Sequence, residues 1–271
     1  MIRGLRPLAA GACLLLAAAC GIVPKAPPGS PPEQAGDPGR LVARLAAEEN
    51  RLESLRGLAN VLYRGTAGSG SVIQAVVVAL PDRARLESLS PVGTTALVLT
   101  IHGDDLRVHS FIRHEYAEGR ATRETLARLA KIPLPPGPLL RLLAGLSPLA
   151  LRPEDPRVKV SVEPDAIRVD SAEGTYWQRL WLAPGGTGVD HGELGEAAGP
   201  LLRFQFNDRQ PVDSLTVPFE IRVETVATEM ALIIRYQTIH LNLPVETDLF
   251  ELPRPTDGQT RILDLGGGPL P

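Results

Sequence analysis

The chain has 271 residues, of which 44% are apolar, 22% charged and 4% aromatic, with 28 Lys and Arg against 31 Asp and Glu. That composition is globular and excludes a wholly disordered chain, and a net charge of −3 gives no support for nucleic acid as the main partner. Two cysteines exclude a disulfide framework and a cysteine-rich zinc site. The first element is an address. Arg3 and Arg6 precede an apolar run over 8–19, which is too short for a spanning helix of about 20 residues and fits a signal peptide.

Leu16-Ala17-Ala18-Ala19-Cys20-Gly21 resembles a bacterial lipobox, with Ala17 where leucine is usual. On that reading residues 1–19 are removed with Cys13, and Cys20 becomes the acylated N-terminus. No free thiol then remains for catalysis or metal binding. By resemblance to lipoprotein sorting, Gly21 after the cysteine favours the outer membrane. Residues 20–37 carry Pro24, Pro27, Pro28, Pro31 and Pro32 and read as an extended tether behind the lipid anchor.

Asp37-Pro38 has the form of a helix start. Leu41, Leu45, Leu52 and Leu55 share one stripe, which predicts an amphipathic helix running to about Gly57. From Leu58 the period changes to two. Strands are predicted over 58–65 and 71–80 around a Gly68-Ser69-Gly70 turn, then over 83–89, 96–102, 106–113 and 115–118. The run 72–78 is apolar on both faces and is expected to be covered on both sides. Helical segments follow at 122–130 and 139–146, the second dominated by leucine. Strands resume at 158–162, 167–170, 176–182, 201–206, 215–225 and 230–241. Pro218 suggests an edge or bulge. Residues 183–200 read as a Gly-rich loop, and 256–271 as a flexible tail. The order is that of an antiparallel α+β body over 38–255.

Catalytic patterns are missing. The five histidines have no i, i+4 zinc spacing, and Gly68-Ser69-Gly70-Ser71 is not a nucleophile elbow. Asp190, His191, Glu193 and Glu196 make the densest polar group, read as surface loop chemistry. Trp177 and Trp181 fall on one side of a strand and read as core. The expectation is a protein that is not an enzyme, with no cofactor and no metal.

Four places resemble the superfamily of periplasmic lipoprotein carriers and outer-membrane lipoprotein receptors, LolA and LolB. They are Leu55-Arg56-Gly57-Leu58-Ala59-Asn60-Val61, the stretch from Pro81-Asp82-Arg83 to Pro91-Val92-Gly93, Glu115-Tyr116-Ala117-Glu118-Gly119, and Ile239-His240-Leu241-Asn242-Leu243-Pro244 with Leu249-Phe250-Glu251-Leu252-Pro253.

The resemblance implies an incomplete, half-open antiparallel β-barrel, here of about 11–12 strands. An N-terminal helix and mid-chain helices would cover its concave face, which binds acyl chains. The candidate lid and cavity residues are Leu41, Leu45, Leu52, Leu139, Leu140, Leu142 and Leu143. In the receptor branch a protruding apolar loop faces the membrane, and Pro91 and Val92 hold a comparable place. The implied protein is a monomeric lipoprotein on the periplasmic face of the bacterial outer membrane. It would bind lipid acyl chains or lipoproteins without nucleic acid. The alternative is an envelope scaffold that binds a protein partner.

Overall fold

Period-two alternation dominates the chain, and it produces one sheet. The computed structural model describes residues 38–66, 68–184 and 187–266. The expected signal peptide, Cys20 and tether lie outside them, as does Asp37. Helix α1 spans Pro38–Glu49. Six strands follow: β1 Ser54–Gly65, β2 Gly68–Ala79, β3 Arg83–Leu89, β4 Thr95–His102, β5 Asp105–Ser110 and β6 Glu115–Arg120. Helices α2, Arg123–Ala130, and α3, Pro136–Leu143, interrupt the strands. Eight more strands complete the sheet: β7 Lys159–Val162, β8 Ile167–Glu173, β9 Tyr176–Leu182, β10 Val189–Glu196, β11 Gly199–Val212, β12 Leu215–Thr225, β13 Ala231–Leu241 and β14 Arg261–Asp264.

The strand order is β14-β6-β5-β4-β3-β2-β1-β13-β12-β11-β10-β9-β8-β7. Every pairing is antiparallel except β14 with β6. The two end strands do not pair, so the sheet is open. It is also strongly curled. Arg123 of α2 pairs with Glu196 of β10, while Arg128 of the same helix donates to the Leu265 carbonyl beside β14. Ten strand steps separate β10 from β14. At about 4.8 Å per step a flat sheet would hold them on the order of 48 Å apart. An eight-residue helix is only about 12 Å long. Only a sheet wrapped round its helices lets α2 reach both.

The core lies on the helix-covered inner face. Leu45, Leu52, Leu139, Leu140, Leu142 and Leu143 join Val61, Val76, Leu180, Phe206, Ile221 and Ile234 in one buried cluster. A smaller cluster of Val98, Tyr116 and Leu252 sits on the opposite face. There the segment after β13, including a 3-10 turn Thr247–Phe250, straps the outer surface. Tyr116 donates to the Leu252 carbonyl (3.0 Å), Arg85 donates to the Leu249 carbonyl, and the Arg83 guanidinium lies over the Phe250 ring.

Several expectations are corrected. The described residues form fourteen strands because the expected Gly-rich loop contains β10 and the expected tail contains β14. In β10 the glycines are where neighbours lie close: a Cβ on Gly192 would collide with the Phe204 ring, and one on Gly195 with the Trp177 ring. Helix α1 stops at Glu49. The Asn242 amide takes over there, accepting from the Glu53 and Ser54 N–H groups and donating to the Arg51 carbonyl. Leu55 therefore lies in β1, not on the helix. Gly68 pairs with Gly65, so Gly68-Ser69-Gly70 is strand. The second face of strand β2 is only partly covered, with Ile73 43% exposed, Ala75 and Val77 half-buried and Ala79 buried. Pro218 does sit where β12 lacks its β13 neighbour, whose pairing begins at Glu220.

Candidate functional site: the seam under α3

Helix α3 is made of leucine between breakers. Pro136 and Pro138 start it, Pro135 supplies no side-chain cap, and Leu139, Leu140, Leu142 and Leu143 are all buried. Its apolar side meets Ile221 and Val223 of β12 and Leu232 and Ile234 of β13. The space between holds about 10 Å³, room for about one water-sized sphere, with an apolar lining. The seam is therefore closed. Anything larger than a water molecule enters it only if α3 moves.

Few polar contacts hold α3 down. The Tyr236 hydroxyl donates to the Leu143 carbonyl (2.7 Å), and burial pushes that phenol up. Arg141, the helix's one charge, pairs with Glu49 at the end of α1 (2.6 Å). Ser147 completes the clasp. Its hydroxyl and N–H both donate to Glu49, while the Arg141 Nε donates to the Ser147 carbonyl. One layer deeper, Gln178 of β9 accepts from the Leu149 N–H and donates to the Leu149 carbonyl and Ser171 hydroxyl. Burial raises the Glu49 carboxyl above its ordinary value; Arg141 and the two Ser147 donors pull it the other way.

The seven candidate lid and cavity leucines are brought together. Leu41 packs half-buried against the core, and the other six are buried within it. Leu41 and Leu45 lie on α1, whereas Leu52 lies in the turn after it. Pro91 and Val92 form the β3–β4 turn, with Val92 84% exposed. Beside it, the β5–β6 turn exposes Phe111 and Ile112. The Phe111 N–H donates to the Ala96 carbonyl, which places the two turns at one rim.

The clasp residues Glu49, Ser147 and Gln178 were not among the candidates. The isolated Arg141 in an apolar helix was the one signal for them. Trp177 and Trp181 correct the core expectation, because they lie half-buried on the outer face. Trp177 donates to the Glu196 carbonyl, Trp181 stacks on His191 (4.8 Å), and Arg179 lies beside both rings. His191 contacts Asp190 there (2.9 Å). Among the described residues no group of three or more His, Cys, Asp or Glu could hold a metal ion. Among them, too, no helix is long and apolar enough to cross a membrane.

This curled sheet with an apolar inner face under helices shares its fold with a LolA superfamily protein of known structure. A LolA superfamily protein from Nitrosomonas europaea matches with a TM-score of 0.51 at 10% identity, covering 79% of this chain and 96% of its own. A domain assigned as an outer membrane lipoprotein-sorting protein from Vibrio parahaemolyticus matches at 0.50 and 11% identity, covering 78% and 95%. A DUF1329 family protein from Desulfovibrio piger matches at 0.53 and 11%, covering 80% and 98%. No protein-family model matches the chain, and no curated protein matches it.

Proposed function

We propose that the chain is a cell-envelope lipoprotein, anchored through Cys20 at the periplasmic face of the bacterial outer membrane. It binds the acyl chains of lipoproteins or lipids between α3 and the sheet and serves their localisation. The observation that carries this reading is the seam itself. A leucine-rich helix started by prolines closes an apolar face, held by one ion-pair clasp and one tyrosine hydrogen bond.

Magnitudes favour exchange. Burying the four α3 leucines is worth about 6–12 kcal/mol. A chain of about 15 methylenes gains roughly 12 kcal/mol on burial. One chain therefore about balances the displaced helix, and two or three outweigh it. Transfer makes and breaks no covalent bond; the driving force is differential apolar burial. The exposed Val92 at the β3–β4 turn is the membrane-facing tip, with Pro91 shaping the turn.

The test is native mass spectrometry of the full chain carrying Cys20→Ser, after expression in a bacterial envelope and again after delipidation. The expected result is retained acylated ligand, recovered on adding a triacylated lipopeptide. A chain that never carries or takes up such ligands contradicts the reading. Labelling with a palmitate analogue checks the anchor: label appears on the wild type and is lost in Cys20→Ser. Val92→Asp is expected to leave stability within about 0.5 kcal/mol of the wild type and to slow ligand delivery to vesicles.

A scaffold that binds a protein partner is the second reading. It is favoured by β7, an open edge strand whose Val162 is 57% exposed, which suits strand addition.

A further inference from the structure

A second cleft, distinct from the seam under α3, lies between α1 and the β11–β12 hairpin. It encloses about 330 Å³. Leu45, Leu52, Leu146 and Val217 form its apolar wall, while Glu48, Arg51 and Arg209 line its polar side. Leu45 shares α1 with Arg44, Glu48 and Glu49, and Val217 and Arg209 come from the facing hairpin, so α1 and the hairpin each contribute both apolar and charged groups.

Arg209 is its unusual group. It projects from β11 and is largely withdrawn from water, with its guanidinium beside the Phe206 ring. One nitrogen, Nη2, donates to the Val189 carbonyl. Its Nε is buried and has no hydrogen-bond partner. Among the described residues no carboxylate lies within ion-pair distance of it. The nearby acids are Glu48, Glu49 and Asp190. Glu49 is taken by Arg141 and Ser147, and Asp190 by His191. Arg51 is turned to the Ser214 hydroxyl and carbonyl. The bed of the guanidinium is kept open by Gly188, at φ +152; a Cβ there would stand 3.1 Å from Arg209 Cζ and Nη1.

A guanidinium carries five N–H donors in a planar fork that matches a carboxylate. Leaving a buried cation underpaired is costly, and an anion entering the cleft relieves it. The apolar wall adds the requirement for a hydrocarbon tail. The volume is at the lower end of the roughly 300–1,000 Å³ span of small-molecule sites, which limits the ligand to one short chain.

We propose that this cleft binds a single-chain fatty carboxylate, with the headgroup on Arg209 and the chain along Leu45, Leu52 and Leu146. The site goes beyond the acyl-delivery reading: it shares Leu45 and Leu52 with the candidate lid and cavity leucines but adds a cationic headgroup position that the seam under α3 lacks.

Isothermal titration of the full chain carrying Cys20→Ser tests it, using submicellar laurate, dodecyltrimethylammonium and inorganic phosphate as probes. The expected result is one laurate bound per chain, with neither the ammonium amphiphile nor phosphate matching it. Arg209→Gln should weaken laurate by about tenfold or more. Should that variant fail to fold, Thr216→Glu decides. Thr216 is exposed on the rim of the cleft, and a carboxylate there should weaken laurate while leaving the fold intact. No laurate binding, binding unchanged by both substitutions, or equal binding of the ammonium amphiphile overturns the proposal. Phosphate binding as tightly as laurate overturns the requirement for a tail.

Discussion

Glu49 and Arg141 tie α1 to α3 with side chains only 12% and 16% exposed. A pair so withdrawn recovers little net energy, because both charges lost their hydration; removing one partner strands the other. Arg141→Met should therefore cost about 3–5 kcal/mol in urea unfolding, and Glu49→Leu with Arg141→Met should recover most of that. A double variant as unstable as the single one would contradict the account. The pH dependence has a definite sign. Glu49's folded carboxyl value is raised above its ordinary one, chiefly by burial. The native state then holds that proton more tightly than the unfolded chain does. Glu49's contribution is full below the unfolded value, about 4.3, and is lost as pH rises through the raised folded value. The melting-temperature advantage of wild type over Glu49→Gln should shrink as pH rises across that window; an advantage that grows contradicts the shift. The sequence showed Arg141 as a lone charge in an apolar helix, but its partner lies 92 positions away, beyond any local pattern.

At the scale of elements, the segment after β13 closes the second face of the sheet. Phe250 is 1% exposed and Tyr116 is equally buried beneath the strap. Phe250→Ala should cost about 3–5 kcal/mol by cavity formation, and Tyr116→Phe about 1 kcal/mol for its hydrogen bond, both read by chemical denaturation. Changes below about 0.5 kcal/mol in both would mean the strap is not part of the cooperative unit. Most strands were legible because alternation of buried and exposed residues is a local property. The exceptions have physical reasons. β10 was hidden by the glycines that accommodate Phe204 and Trp177. β14 was hidden because its four residues sit between Gly258 and the Gly266-Gly267-Gly268 run and read as tail. The end of α1 was blurred because Leu52 and Leu55 continue the helical phase while belonging to a turn and a strand. Period two also does not say which face is inner, and so Trp177 and Trp181 were assigned to the wrong one.

For the whole molecule, the order of helix, strands, helices and strands indicated an antiparallel α+β body, and the open curled sheet with helices inside was implied by the four segments that resemble LolA and LolB. The closing of the seam was not legible. It depends on how Leu139, Leu142 and Leu143 interlock with Ile221, Val223, Leu232 and Ile234, which are contributed by elements far apart in sequence. The central claim is that α3 yields to acyl chains. Hydrogen exchange over 132–146 tests it most directly, measured on the full chain carrying Cys20→Ser with a triacylated lipopeptide and with the same peptide lacking its acyl chains. The account predicts altered exchange in α3 and in the facing stretches of β12 and β13, with the acylated peptide only. Unchanged exchange there, or the same change with the bare peptide, would contradict it.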